Sequence, residues 1–277
     1  MDGLRQSTGA GGLLMGRSHR RVGSIEWNRA HWGNDAAWEE RGNSWTFHAD
    51  NCGQPYEAWK KTLLGEFLDP YLSLEKDFLE IGPGYGRWTE SMVGRTRSLT
   101  LVDLNANCIE VCRQRFGLYN GVSFVANDGR SLPAPDGSID VIWSFGSFVH
   151  FDTREIAAYL GECARVLRVD GRFVIHHAGW PEWSLVTLPV TQHMGRSGRV
   201  LQHRISQGRW RPGGDRTPMS ANWFASLASA NGLRVEKQVR TWGEEQEFGL
   251  AFHDMISTGS NMQDRHNGAA SSPRPNY

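Results

Sequence analysis

Three glycines at alternate positions, directly after a short apolar run, constrain this chain more than any other feature: Phe78-Leu79-Glu80-Ile81-Gly82-Pro83-Gly84-Tyr85-Gly86. The apolar run reads as a buried strand, because a parallel strand covered on both faces is nearly all hydrophobic. The glycines call for a turn in which the backbone meets a partner closely or φ becomes positive. Residues 87–94 then read as a helix, whose first N–H groups have no partner within it. Strand, glycine turn and helix form the opening unit of a doubly wound α/β sheet with a ligand at the turn.

The chain goes on alternating in the same way. Ser98–Leu104 reads as a strand, Asn105–Phe116 as a helix, and Val122–Ala126 and Ile139–Phe145 as strands. Asp152, with Glu155 three residues on, has the pattern of a capping box and opens a helix to about Leu167. Asp170-Gly171 is a turn before a strand at Arg172–His177. Met219–Asn231 returns to helix and stops at Gly232, and Leu233–Thr241 with Phe248–Ile256 reads as an antiparallel hairpin at the sheet edge. This alternation predicts a mostly parallel sheet with helices on both faces and right-handed crossovers.

Two regions lie outside the alternation. Residues 25–76 read as a Trp-rich helical cap, in which Trp59, Leu63, Phe67 and Tyr71 recur every four residues as one helix face does. Residues 179–217 form an insertion rich in Gly, Pro and Arg, with Trp180, Trp183, Trp210, His193 and His203, and read as a lid over the substrate. Residues 1–24 and 258–277 read as flexible tails, leaving 77–257 as the ligand-binding domain.

The 277 residues carry 30 basic and 30 acidic side chains, a balance that argues against a general nucleic-acid binder. No apolar stretch approaches the roughly 20 residues that cross a bilayer, so a cytoplasmic protein with no membrane partner is expected. Cys52, Cys108, Cys112 and Cys163 show no zinc spacing and read as reduced core thiols.

The ligand class follows from the residues around the turn. A dinucleotide fingerprint wants a small residue where this chain has Arg87. Glu80 beside the turn suits a cationic ligand better than a pyrophosphate. Asp103 stands 17 residues after Gly86 at the end of the second strand, where a carboxylate accepts from both ribose hydroxyls. Asn127-Asp128-Gly129 ends the third strand, where Asp128 can accept from an adenine amine. Ser144 and Phe145 close the fourth strand beside the topological switch point.

With these pieces in order, Asp77–Ala178 resembles the core of the class I S-adenosylmethionine-dependent methyltransferases, small-molecule type. Arg165-Val166-Leu167-Arg168-Val169-Asp170-Gly171 is similar to that family's turn before the fifth strand, with Val169-Asp170 in place of Pro-Gly. The resemblance implies a Rossmann-like seven-stranded sheet of order 3-2-1-4-5-7-6, with strand seven antiparallel. It also implies S-adenosylmethionine as cofactor and S-adenosylhomocysteine as product. Glu80, Gly82, Gly84, Gly86, Asp103, Leu104, Asp128, Gly129, Ser144 and Phe145 are the expected cofactor contacts.

The expected partner is a small-molecule acceptor, with a homodimer left open. A sugar or secondary-metabolite hydroxyl is the leading acceptor, nitrogen and carbon acceptors the alternatives. A hydroxyl must lose its proton, and histidine suits that work near neutral pH. His150, His177 and His176 are the candidate bases, the first two preferred, although alternation along a strand aims only one of His176 and His177 at the acceptor. No metal is expected. Other adenosyl-sulfonium chemistry or a binding role would keep the fold. The paired acids of an aminopropyl transferase are missing, and Ser144-Phe145-Gly146-Ser147 replaces the Asp/Asn-Pro-Pro-Tyr of base-directed enzymes.

Overall fold

The apolar runs assemble into one seven-stranded sheet of order β3-β2-β1-β4-β5-β9-β6 in the computed structural model. It describes residues 22–33, 46–191 and 216–262, with positions 194, 197, 198, 200, 201 and 204. The strands are β1 (Asp77–Ile81), β2 (Ser98–Asp103), β3 (Val122–Ala126), β4 (Ile139–Ser144), β5 (Leu167–Ala178), β6 (Leu233–Val239) and β9 (Asp254–Asn261). β1 pairs in parallel with β2 and β4, β2 with β3, and β4 with β5. β9 runs antiparallel between β5 and β6. This is the Rossmann-like order the sequence predicts.

Side-chain alternation divides the core into two layers. Ile142 of β4 and Phe173 of β5 pack on one face with Ile156, Leu160 and Phe224. Their neighbours Val141, Trp143 and Val174 pack on the other with Trp59, Leu63 and Phe67. Helices cover both faces: α1 (Ile25–Trp32), α2 (Phe47–Cys52), α3 (Tyr56–Phe67), α4 (Ala106–Phe116), α5 (Thr153–Val166), α6 (Glu182–Thr191) and α7 (Ala221–Ala230). Cys108 and Cys112 share the buried face of α4. Asp152 caps α5 by accepting from the Arg154 N–H, while Glu155 turns to Arg130, 3.1 Å away, instead of closing the box. Among the described residues no helix is long and apolar enough to cross a membrane.

Two elements differ from the sequence reading. Residues 87–94 form turns and a 3-10 turn at Thr89–Ser91 rather than a helix. Gly86 and Gly94 bracket that stretch in left-handed conformations, φ 83° and 70°, and its apolar members Trp88 and Met92 are drawn into the core. The expected hairpin opens up. Thr241–Trp242 (β7) and Phe248–Gly249 (β8) make a separate ribbon, held to the cap by Trp59, whose indole N–H donates to the Gly249 carbonyl at 2.8 Å. β9 therefore starts later and ends at Asn261, so residues 258–261 belong to the sheet and not to a tail. Trp38, Trp45, residues 1–21 and most of 192–215 lie outside the described residues.

Candidate active site

The glycine turn begins where β1 ends. Gly82 N–H donates to the Val102 carbonyl at 2.8 Å, carrying the ladder one residue past the strand. Gly82, Gly84 and Gly86 then take φ of 70°, 56° and 83°, values that L side chains adopt only at a cost. A Cβ on Gly82 would come within 2.7 Å of Ser147 Cβ and closer still to its Oγ. The turn opens on a cavity whose walls include Gly82, Gly84, Asp103, Leu104, Phe145 and His150. His176 stands in the same wall.

Asp103 is the acidic group of this cavity's β2 end. Its Oδ2 accepts from Gly84 N–H at 3.2 Å and its Oδ1 from Asn105 N–H at 2.9 Å. These bonds lock the carboxylate yet leave each oxygen a further lone pair. Burial pushes its pKa up to about 6 against the pull of those amides. Asn28 of α1 faces the same cavity, with its Oδ1 buried and without a partner among the described residues. Backbone without Cβ atoms, a locked carboxylate, an unsatisfied amide oxygen and the apolar Leu104 and Phe145 fit an adenosine-bearing ligand.

Several expected contacts lie outside the cavity's lining instead. Glu80 is 1% exposed and accepts from Thr89 Oγ at 2.6 Å; burial pushes its pKa up to about 8, so it is a neutral acid at pH 7. Gly86 packs under Phe116. Ser144 Oγ donates to the Ile81 carbonyl at 2.8 Å and ties β4 to β1. Asp128 Oδ1 caps its own turn, accepting from the N–H groups of Arg130 and Ser131, and Gly129 packs against Ile25 and Leu104.

The histidines separate by face. His177, preferred with His150 from the sequence, is corrected: its ring stacks on Phe224 with centroids 3.7 Å apart. Its nitrogens lie 2.7 Å from the Ala178 carbonyl and 2.7 Å from Ser257 Oγ, on the far side of the sheet from the cavity. His176 points the other way and stacks on Phe145, centroids 4.1 Å apart. His150 sits on the 3-10 turn Phe148–His150 after β4, 4.8 Å from the Trp32 ring.

A polar cluster that sequence reasoning missed fills the β5–β9 end. His48, His176 and Asp254 bring potential ligand atoms within 4.8 Å of one another. A cation would need a lone pair from each imidazole on the atom facing it. His48 Nδ1 already accepts the Ala251 N–H at 2.8 Å, and His176 Nδ1 accepts the Gly146 N–H at 3.1 Å. A neutral imidazole with a lone pair on Nδ1 carries its proton on Nε2, so both rings present donors to the cluster. Burial, the largest cause, keeps them neutral by lowering both pKa values. Arg216 occupies Asp254 through Nε (2.8 and 2.9 Å) and Nη2 (2.7 Å). The arginine and neighbouring donors hold Asp254 well below the usual carboxylate range despite its burial.

Known proteins share part of this sequence and its fold. Residues 78–171 match the family model described as a methyltransferase domain. Over that third of the chain the sequence is thus similar to methyltransferase domains. Over 142 residues it is 34% identical to a fatty-acid O-methyltransferase of Mycolicibacterium smegmatis, covering 48% of this chain and 49% of that protein. It is 27% identical over 149 residues to a demethylmenaquinone methyltransferase of Staphylococcus aureus, covering 51% and 56%. The chain spans about half the length of these curated relatives. The fold is shared with magnesium protoporphyrin IX methyltransferase of Synechocystis, at TM-score 0.57 and 12% identity over 86% of this chain and 99% of that one. The N-methyltransferase NodS of Bradyrhizobium japonicum shares it at TM-score 0.52 and 15% identity, over 87% and 100%.

Proposed function

We propose that this protein transfers a methyl group from S-adenosylmethionine to an oxygen of a small-molecule acceptor. The observation that carries this reading is the locked Asp103 carboxylate beside the Gly82–Gly84 turn in one cavity. Bound there, S-adenosylmethionine supplies an electrophilic methyl on a sulfonium. Asp103 would hold the ribose hydroxyls, the glycine turn would admit the ligand against the backbone, and Leu104 and Phe145 would pack its apolar faces. Glu80 and Asp128 would support the turns rather than touch the ligand. The oxygen acceptor is supported by the M. smegmatis relative, named for O-methylation; the S. aureus relative is named for another acceptor.

Alignment of acceptor and methyl is the main task, for which positioning supplies on the order of 7–11 kcal/mol in favourable cases. For a hydroxyl acceptor, His150 would take the proton. It lines the cavity on the turn after β4, whereas the Nδ1 of His176 is taken by the Gly146 N–H. The aromatic walls Trp88 and Phe145 exclude water from that step.

Calorimetric titration with S-adenosylmethionine and S-adenosylhomocysteine, on wild type and Asp103→Ala, tests the reading. Binding that the substitution weakens tenfold or more, about 1.4 kcal/mol, supports it. Folded protein that binds neither ligand rejects it.

A further inference from the structure

We propose that the acceptor is a carboxylate-bearing molecule and that its carboxylate docks at the β5–β9 end of the cavity, on Arg216 and His48. This rests on the methyl-transfer reading above and names the substrate class of that site.

The groups facing this end are donors. Asp254 consumes Nε and Nη2 of Arg216, and among the described residues no hydrogen bond uses Nη1, which keeps two N–H groups. The guanidinium is held flat, 3.7 Å from the Phe252 centroid and 5.6 Å from that of Phe47. It is a preset planar edge, the shape that matches a carboxylate. His48 adds the Nε2–H that its Ala251 contact dictates, and stacks on Trp59 with rings 14° from parallel. The acceptor oxygens in the cluster belong to Asp254, which Arg216 already occupies. A ligand group here must therefore accept without needing to donate, as a carboxylate does.

Charge narrows the class. Arg216 and Asp254 cancel, and both imidazoles are neutral. Arg87, in the same wall, adds one positive charge that reaches His48. Donors that carry little excess charge suit a monoanion better than a dianionic phosphate. Aromatic walls, Phe47 and Phe145, strengthen the attraction by excluding water and offer an apolar surface to the acceptor's carbon skeleton.

Position separates this subsite from the cofactor's. Asp103 ends β2, while His176 lies two residues before the end of β5, and the order β2-β1-β4-β5 places them three strand spacings apart, about 14 Å. The methyl-transfer point would fall between the two ends.

The test is calorimetry on protein saturated with S-adenosylhomocysteine. The probes are octanoate, benzoate and phenylacetate, each against its primary alcohol and its amide. The variants are His48→Phe, which keeps the stack on Trp59 but removes the donor, and His48→Gln, which restores an N–H at the Nε2 position. The expected result is at least tenfold tighter binding of carboxylates than of their alcohols. That preference should be lost in His48→Phe, regained in part in His48→Gln, and accompanied by S-adenosylhomocysteine affinity within twofold of wild type. Wild-type measurements alone decide the matter if the variants fail to fold. Alcohols binding as well as carboxylates, no probe binding at all, or a preference untouched by His48→Phe overturns the proposal. So does a His48→Phe protein that loses S-adenosylhomocysteine, because the donors would then hold the cofactor's own carboxylate. Failure of wild type to bind S-adenosylhomocysteine is a different result: it removes the methyltransferase reading itself, and this inference with it.

Discussion

The side-chain amide of Asn28 donates to the backbone carbonyl of His150 at 2.9 Å, joining the N-terminal cap to the turn that carries the candidate base. The same Nδ2 reaches the carbonyls of Gly23 at 3.0 Å and Ser24 at 3.1 Å. One buried amide thus fixes both the start of α1 and the placement of His150.

Asn28→Ala removes these bonds and leaves the His150 and Gly23 carbonyls without that donor. A buried polar group left unsatisfied costs about 1–3 kcal/mol. Urea unfolding of the variant should show that loss as a lower midpoint with an unchanged slope. The turnover number should fall too, since His150 loses its anchor. An unchanged midpoint would show that α1 contributes nothing to this end of the cavity.

The Arg216–Asp254 pair gives a sharper test. Breaking a buried ion pair by deleting one partner typically costs about 3–5 kcal/mol, because it strands a charge. Arg216→Met should cost that much, and the double variant Arg216→Met/Asp254→Leu should recover most of it. Chemical denaturation of the three proteins reads the cycle directly. Asp254 is ionised well below the usual range in the folded state. Its contribution is therefore present above the unfolded carboxyl pKa and fades as pH falls below it.

Glu80 predicts the opposite slope. Its folded pKa of about 8 lies above its ordinary value, because burial penalises the charge. The folded state therefore keeps a proton that the unfolded chain has released. Stability should fall as pH rises towards 8 and level off beyond. The histidines whose folded values are lowered titrate near 6.5 in the unfolded chain and slope the opposite way, and Asp103 is raised to about 6, so the Glu80 contribution is the difference between two profiles. Between pH 6.5 and 8 wild type should lose stability relative to Glu80→Gln, a neutral isostere that can still accept from Thr89, by at most about 1.4 kcal/mol per pH unit. Parallel profiles would place the titrating group elsewhere.

The sheet was legible because its signals are local. Buried parallel strands read as apolar runs, as Ile139–Ser144 does, and glycine turns with strand-end acids mark the ends that bind ligand. Where the signal depends on tertiary contact, the reading slipped. Residues 87–94 have helical spacing, but the core takes Trp88 and Met92 from a turn. Phe248 begins an apolar run, yet pairs with Trp242 under the cap while the strand starts at Asp254. Strand alternation predicts that His176 and His177 point to opposite faces, but it does not say which faces the cavity, and the preference for His177 chose the ring that turns away. The outcome depends on Phe145 on one side of the sheet and Phe224 on the other. The donor cluster was out of reach altogether. His48 comes from the cap, Arg216 from the end of the insertion and Asp254 from the last strand, and no spacing joins them.

Asp103 ties the cofactor reading to a pH dependence. In the free protein its pKa is about 6, raised by burial against the Asn105 and Gly84 amides. Ribose hydroxyls donate to the carboxylate, and a protonated carboxyl offers them less. Binding of S-adenosylhomocysteine should therefore strengthen as pH rises from 5 to about 7, then become flat. Below the pKa the gain approaches tenfold per pH unit if the ligand binds only the ionised form. Asp103→Asn keeps the size and one acceptor oxygen but cannot ionise. It should bind at least tenfold more weakly at pH 7.5, and its affinity should be level across the same range. Titrations of the two proteins at pH 5, 6, 7 and 8 are enough to decide. Parallel pH profiles would mean that the group controlling the affinity is not Asp103, whatever the loss at pH 7.5.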